Sequence, residues 1–266
     1  MTTINTSVGP RGTGLLIPPK RQTFARPFAE ISPGWTKDQV IERITDPSYI
    51  PRSQIFDDSW IYNQGSVGSC NGFAGAQAVE RARWFRGLKK RKLSGVGLYS
   101  MVNGGQDRGS MLDDAFKAIQ EDGVPPDDLV PQYEWRKSRI DPQAFVEAQR
   151  YKAWEPYAIE SDLDLATAIA CNYPCVVAVH AGGGDVNRDG IVTWGNGPGN
   201  HAVTVDDVRW ARGRFEYRMP NSWGLNWGVR GIGWLVWGAH LSAPIRNHYF
   251  YAVSGAIDDP QEGKIL

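Results

Sequence analysis

The alanine- and glycine-rich segment over residues 73–82 constrains the fold most, because its side chains are small on several sides. Such a segment predicts a helix buried between two bodies of protein. A glycine-rich loop from Asn63 to Ser69 precedes it and places Cys70 at the start of the helix. A cysteine there lies at the positive end of the helix dipole, which favours the nucleophilic thiolate. For a cysteine considered on its own, the alternative is a buried structural thiol.

Length and charge limit the classes of protein that the chain can represent. Its 266 residues suffice for one large domain or two closely packed lobes. Because 29 Lys and Arg balance 29 Asp and Glu, charge gives no reason to expect nucleic acid or an anionic membrane as a partner. No apolar run approaches the roughly 20 residues that span a bilayer. Since the N-terminus also lacks the features of a secretory signal, we expect a cytoplasmic or virion-associated protein.

Three cysteines, Cys70, Cys171 and Cys175, are too few for a disulfide framework and cannot all pair within the chain. This favours reduced surroundings. Cys171 and Cys175 have no histidine at ligand spacing, so we expect core thiols. The run from Asp185 to Gly190 resembles half of a calcium loop, but Asn196 stands where that loop needs a glutamate. A hairpin turn is the better interpretation, and we expect neither metal nor cofactor.

Element patterns divide the chain into a proline-rich arm, a helical half and a β half. Residues 1–50 form the arm, which we expect to be draped over the surface or mobile; an inhibitory segment and a packing or tethering arm both remain open. Thr36 and Gln39 predict a capping box and a short helix within it. Further helices are predicted after N-caps at Ser110, Asp141 and Ser161. Strands are predicted over 175–180, 190–194, 201–208, 214–218, 231–236 and 249–253, which gives an α+β chain.

A cysteine nucleophile needs a base, and the base needs a group that orients it. Among the four histidines, His201 follows a glycine-rich turn and begins an alternating strand, so a rigid element holds it. Asn221 leaves a strand end beside Trp223, whose indole can shield a hydrogen bond from water. His201 and Asn221 are therefore the candidates for base and orienting group.

These motifs together resemble the papain-like cysteine peptidases, in a bacterial or viral branch. His201 and Asn221 follow Cys70 by 131 and 151 residues, close to the family's separations of about 130–150. The resemblance covers about residues 50–257. It implies a papain-like catalytic domain over 51–257, with a helical lobe at about 65–160, an antiparallel β-barrel-like lobe at about 161–257 and the active-site cleft between them. Residues 258–266 would form a C-terminal tail.

The resemblance also implies roles for particular residues. Cys70 would be the nucleophile, His201 the base and Asn221 its orienting partner, while the Gln64 side chain would join the Cys70 N–H in an oxyanion hole. Residues expected to line or support the substrate cleft are Gly68, Ser69, Gly109 and Trp223.

Some positions depart from the family pattern. Val67 replaces a cysteine, so the family's usual disulfide cannot form, and Asn71 replaces an aromatic residue. The arm is shorter than a typical inhibitory segment and lacks its long helices, which argues against control by a pro-segment.

The expected function is hydrolysis of peptide bonds in a peptide or protein substrate, through a thioester acyl-enzyme. Two alternatives remain. One is an amide hydrolase or acyltransferase acting on a non-protein or cell-wall peptide substrate. The other is a catalytically silent binding protein of a virion or assembly. The presence of Gln64, Cys70, His201 and Asn221 together argues against silence, because a binding protein gains nothing from keeping all four.

Overall fold

A computed structural model describes residues 2–6, 9–17, 25–153, 155–241 and 250–253, with side chains over 11–17, 25–153 and 155–241. This part of the chain contains six α-helices and ten strands. In chain order they are β1 (Thr2–Thr6), β2 (Gly9–Thr13), β3 (Arg26–Pro27), α1 (Lys37–Thr45), α2 (Cys70–Phe85), α3 (Gly95–Val102), α4 (Leu112–Glu121), α5 (Pro142–Ala148), β4 (Pro156–Ala158), α6 (Asp162–Ala170), β5 (Cys175–Val179), β6 (His201–Val205), β7 (Asp207–Ala211), β8 (Arg214–Pro220), β9 (Ile232–Val236) and β10 (Phe250–Val253).

Helix α2 is the central element, and every residue from Cys70 to Arg83 is buried. Its glycines let neighbours approach closely. A Cβ at Gly72 would lie 2.1 Å from the carbonyl oxygen of Gly95 at the start of α3. The prediction of a small-residue helix buried on several sides is therefore confirmed.

The predicted helix starts are mostly confirmed. Thr36 and Gln39 form the capping box of α1, and the side chains of Asp141 and Ser161 cap α5 and α6. The predicted cap at Ser110 is wrong: α4 begins at Leu112 without a side-chain cap. Ser110 instead pairs with the N-terminal arm. Helix α3 was missed because glycines weaken its helical pattern.

The β half contains two sheets. Strands β3-β4-β10-β5-β6 form one and β7-β8-β9 the other, and the neighbouring pairs are antiparallel except β3 with β4. The strand predicted over 201–208 is divided at Asp206 into β6 and β7. Residues 190–194 make isolated bridges rather than the predicted strand. Tyr249, at the start of the last predicted strand, lies outside the described residues.

A buried ion triad joins the helical lobe to the β lobe. Arg81 of α2 and Arg218 of β8 both bind the carboxylate of Asp206, with Arg218 at 2.8 and 2.9 Å. All three side chains are at most 4% exposed. Because an unpaired charge is costly in such a place, the triad fixes α2 against the β sheets. None of the helices in the described ranges is long and apolar enough to cross a membrane.

Candidate active site

Cys70 is the first residue of α2 and its side chain is fully buried. The preceding loop, with Gly65 in the left-handed region at φ 61°, turns the chain into the helix. The thiol lies beside β6 of the other lobe and beside the N-terminal arm, where the N–H groups of Ala202 and Gly14 respectively approach its sulfur. The nucleophile candidate therefore sits where the two lobes meet.

His201 begins β6 and is also fully buried. Its Nε2 lies 2.9 Å from Oδ1 of Asn221. That oxygen also accepts the N–H of Ser222 at 2.8 Å, which identifies it as the acceptor. Nε2 therefore carries the proton, and Nδ1, which has no hydrogen-bond partner among the described residues, is the nitrogen that can accept one.

Trp223 stacks on the imidazole of His201, with ring centroids 4.8 Å apart and an interplanar angle of 27°. Trp194 meets the same imidazole edge-on at 6.2 Å. Both indoles are buried, so they shield the bond between His201 and Asn221 from water. Trp194 could not be assigned to the site from its position in the sequence, because it reaches the site only through the turn before β6.

Gln64 is fully buried between the lobes. Its Oε1 accepts the hydroxyl of Ser222 at 2.5 Å, which orients its amide nitrogen. Nε2 donates to the carbonyl of Val67 at 2.8 Å and to the carbonyl of Gly12 at 3.2 Å. The second of these bonds shows that Gln64 already binds a peptide carbonyl next to the nucleophile.

That carbonyl belongs to the N-terminal arm, whose residues 11–17 lie in the cleft. The amide of Gly14 donates to the Cys70 sulfur at 3.3 Å. On one wall, Ser110 donates to the Gly14 carbonyl at 2.8 Å and accepts the Leu16 amide at 2.9 Å. On the other wall, Asn200 accepts the Leu15 amide at 3.3 Å. For residues 11–17, the expectation of an arm draped over the surface or mobile is therefore wrong.

Two glycines make this path possible. A Cβ at Gly14 would lie 1.8 Å from the carbonyl oxygen of Gly68, and a Cβ at Gly12 would lie 2.4 Å from that of Val67. Both obstacles are backbone atoms, which cannot move aside as a side-chain end can. Alternating glycines near the N-terminus were the sequence signal for this close approach.

The arm does not present a bond for cleavage. The sulfur faces an amide N–H, whereas nucleophilic attack needs a carbonyl carbon beside it and that carbonyl's oxygen in the oxyanion hole. The carbonyl that reaches Gln64 belongs to Gly12, two residues away from the amide at the sulfur. The arm therefore fills the cleft without being positioned as a substrate.

Burial beneath the arm changes the ionisation of both catalytic candidates. It raises the pKa of Cys70 to about 11, although nearby backbone N–H groups oppose the shift. It lowers the pKa of His201 to about 4, against the effect of the bond to Asn221. Desolvation of the buried sulfur therefore opposes the thiolate that is expected at a helix N-terminus, and burial of the imidazole likewise favours its neutral form.

The remaining predicted cleft residues lie around the arm. Gly68 donates its N–H to the Asp107 carboxylate at 2.9 Å. Ser69 precedes α2 without capping it through its side chain. Gly109, at φ 91°, lies against Gly14, whose carbonyl oxygen would be 2.2 Å from a Cβ there. Sequence reasoning did not assign roles to Asn71 and Asp107. These two side chains link the loop before the nucleophile to the segment that ends at Ser110.

Two other predictions concern residues away from the cleft. All three cysteines are free, with Cys175 buried and Cys171 half-buried. The run from Asp185 to Gly190 forms a turn in which Asn187 accepts the N–H groups of Asp189 and Ile191. Val186 and Val192 then pair across it, which confirms the hairpin.

Comparison with known proteins agrees with this arrangement. Residues 56–253 match the model of the papain family of cysteine proteases. The chain is 27% identical over 180 residues to a KDEL-tailed cysteine endopeptidase of Arabidopsis thaliana, covering 64% of this chain and 49% of that relative. It is 27% identical over 175 residues to Zingipain-2 of Zingiber officinale, covering 64% and 79% respectively. The chain thus spans about half the length of the first of these relatives.

Solved structures with the same fold include xylellain, a cysteine protease from Xylella fastidiosa. It superposes with a TM-score of 0.64 at 19% identity, over 96% of this chain and 98% of that one. Digestive procathepsin L 3 of the Tenebrio molitor larval midgut gives 0.65 at 21% identity, over 91% and 76%. A helical lobe packed on a β lobe, with cysteine, histidine and asparagine meeting between them, defines the papain-like α+β class. The chain belongs to the papain family of cysteine proteases.

Proposed function

We propose that the protein is a cysteine endopeptidase that hydrolyses peptide bonds through Cys70, His201 and Asn221, and that residues 11–17 hold it in a latent form. The observation that carries this proposal is the extended peptide in the cleft. The arm's main chain pairs with Ser110 while Gln64 binds one of its carbonyls. A cleft that accepts an extended strand in this way suits a peptide substrate.

The reaction begins once the arm has left and water has entered the cleft. The Cys70 proton passes to Nδ1 of His201, and the sulfur attacks the scissile carbonyl carbon. The oxyanion that forms is stabilised by the Gln64 amide and the N–H of Cys70. When the C–N bond breaks, Nδ1 returns the proton to the leaving amine and a thioester remains on the sulfur.

Water then completes the cycle. His201 takes a proton from the water, whose oxygen attacks the thioester carbonyl. The C–S bond breaks, the peptide acid leaves, and the proton returns to the sulfur. Throughout, Asn221 holds the imidazole so that Nδ1 stays directed to the reacting atoms.

The latent form follows from the same contacts. Cys70 and His201 are fully buried, so no second peptide reaches them while the arm is in place. Aliphatic Leu15 is buried close to Gly199, in the same hydrophobic cluster as Ala178 and Ala202. A substrate with an aliphatic side chain at the corresponding position would fill this site after the arm leaves.

The test uses the full chain with Gly14→Ala, which obstructs the arm at the Gly68 carbonyl. Incubation with a diverse peptide library, followed by mass spectrometry, should show cleavage by Gly14→Ala, little by the wild type and none by Gly14→Ala/Cys70→Ala. Gly195→Ala is the matched control, because a Cβ there meets nothing within 4 Å. A folded Gly14→Ala protein that cleaves no peptide would refute the proposed activity.

A further inference from the structure

Two short segments meet beneath the cleft. One is the loop that ends at Cys70. The other is the wall segment from Asp107 to Ser110, whose last residue pairs with the arm. The Asp107 carboxylate, on the wall segment, accepts the N–H of Gly68 at 2.9 Å through Oδ1. The same oxygen accepts the hydroxyl of Tyr99 at 3.0 Å. Tyr99 in turn accepts the N–H of Gly109 at 2.9 Å. One carboxylate thus holds the nucleophile loop to both helix α3 and the wall.

A second side chain makes the same connection in the opposite direction. Asn71 directly follows the nucleophile and is 1% exposed. Its Nδ2 donates to the carbonyl of Ser110 and lies 3.1 Å from that residue's hydroxyl. Each segment therefore contributes a side chain that holds the backbone of the other.

The Ser110 carbonyl that Asn71 binds is also the one that accepts the amide of Leu16. A bound peptide needs the same carbonyl as an acceptor. The direction in which the Ser110 carbonyl points therefore determines where the peptide lies relative to the sulfur. Gly68 contributes from the other side, because its carbonyl faces Gly14 at the closest approach of the arm. Both ends of the connection are thus in contact with the peptide strand.

We propose that Asp107 and Asn71 form a reciprocal polar clamp that positions Cys70 relative to the peptide-binding edge at Ser110. The inference rests on the proposed peptidase function and adds two positioning residues to it. Val67 stands where the papain-like pattern carries a disulfide cysteine, so no covalent link holds this loop. The clamp fixes the loop by hydrogen bonds, which persist under reducing conditions.

The Asp107 half is tested in the full chain carrying Gly14→Ala. Asp107→Ala removes the shared acceptor, and the nucleophile loop then shifts relative to the wall. Misplacement of a reacting group by about 1 Å can cost about 100-fold in rate, so kcat should fall between about 10- and 100-fold. Asp107→Asn keeps an oxygen that accepts both bonds and should remain within about threefold of the parent. This rescue separates acceptor geometry from charge.

The Asn71 half predicts an effect on peptide binding. Asn71→Ala frees the Ser110 carbonyl, and KM should rise by about tenfold, the effect of losing one well-formed hydrogen bond. The matched control is Asn103→Ala, because Asn103 is a buried asparagine of the same lobe that donates to Trp135 rather than to the cleft. Asn103→Ala should leave KM unchanged, whatever it does to the melting temperature.

A binding measurement separates this inference from the proposed activity. A fluorescent heptapeptide with the sequence of residues 11–17 is titrated against Gly14→Ala/Cys70→Ala with and without Asn71→Ala. Weaker binding with Asn71→Ala supports the clamp even if no peptide is ever cleaved. The clamp is refuted if Asp107→Ala retains the parent kcat, if Asp107→Asn loses as much as Asp107→Ala, or if Asn71→Ala binds the heptapeptide as tightly as Asn103→Ala.

Discussion

Replacing Gly14 by alanine should release Cys70 from the arm. The new methyl group would lie 1.8 Å from the Gly68 carbonyl oxygen, whereas a carbon and an oxygen in contact need more than 3 Å. The arm must therefore move by more than about 1 Å at this position. It then loses the bond from the Gly14 amide to the sulfur and the bond from Ser110 to the Gly14 carbonyl. Since both bonds fix the arm at the nucleophile, the thiol becomes accessible.

The size of the effect follows from the ionisation of the thiol. With a pKa of about 11, roughly one Cys70 side chain in 10⁴ is a thiolate at pH 7. An exposed cysteine with a pKa of about 8.5 is ionised to roughly 3%. Ionisation alone therefore predicts an increase of about 300-fold in the alkylation rate. Loss of steric cover and stabilisation of the thiolate by His201 in its imidazolium form increase it further.

The assay is alkylation with iodoacetamide at pH 7, with each cysteine peptide quantified by mass spectrometry. Half-buried Cys171 serves as the internal reference, and fully buried Cys175 should stay slow. In the wild type Cys70 should react more slowly than Cys171, and in Gly14→Ala it should react fastest of the three. Gly195→Ala should resemble the wild type. If Cys70 reacts at the same rate in wild type and Gly14→Ala, the arm does not control the nucleophile.

Further predictions concern the catalytic groups, pH and stability. In the Gly14→Ala chain, Asn221→Ala should melt near the parent temperature while kcat falls about 10- to 100-fold, because the imidazole loses its orientation; full activity would contradict the orienting role. Gln64→Ala should lower kcat about 10²- to 10³-fold through loss of an oxyanion donor, and an equal loss in substrate binding alone would argue against it. Because burial lowers the pKa of His201 to about 4, the neutral imidazole contributes stability to the buried form that is fully present above its ordinary pKa of about 6.5 and is lost as pH falls through 4. Wild-type Cys70 protected by the arm at pH 7 should therefore become exposed near pH 4.5, as followed by proteolysis of the arm; equal protection at both values would refute this. Asp206→Asn leaves two buried guanidinium groups without a full counter-charge and should lower the free energy of unfolding in urea by about 3–5 kcal/mol, whereas a loss below about 1 kcal/mol would show that the triad is not an anchor.

Local sequence signals predicted the elements whose stability depends on nearby residues. The cap at Thr36 and the proline after Asp141 each act within one helical turn, so their helices were recognised from the sequence. The cap at Ser110 failed because its hydroxyl accepts the Asn71 amide, its backbone pairs with the arm, and the helix begins only at Leu112. Helix α3 was missed because its glycines satisfy the packing against α2 rather than helix propensity. Tertiary contacts thus overrode propensity where two segments approach closely.

The sequence by itself determined the family and the candidates Cys70, His201, Asn221 and Gln64, because residue type, order and spacing carry that information. Only the tertiary structure placed residues 11–17 across the nucleophile. Glycine is required at positions 12 and 14 because the backbone carbonyls of the nucleophile loop lie directly opposite, and the sequence does not show that proximity. It also decided the ionisation of Cys70, because desolvation depends on every segment that covers the sulfur. A thiol at a helix N-terminus is expected to ionise readily, and burial of the Cys70 sulfur opposes that ionisation.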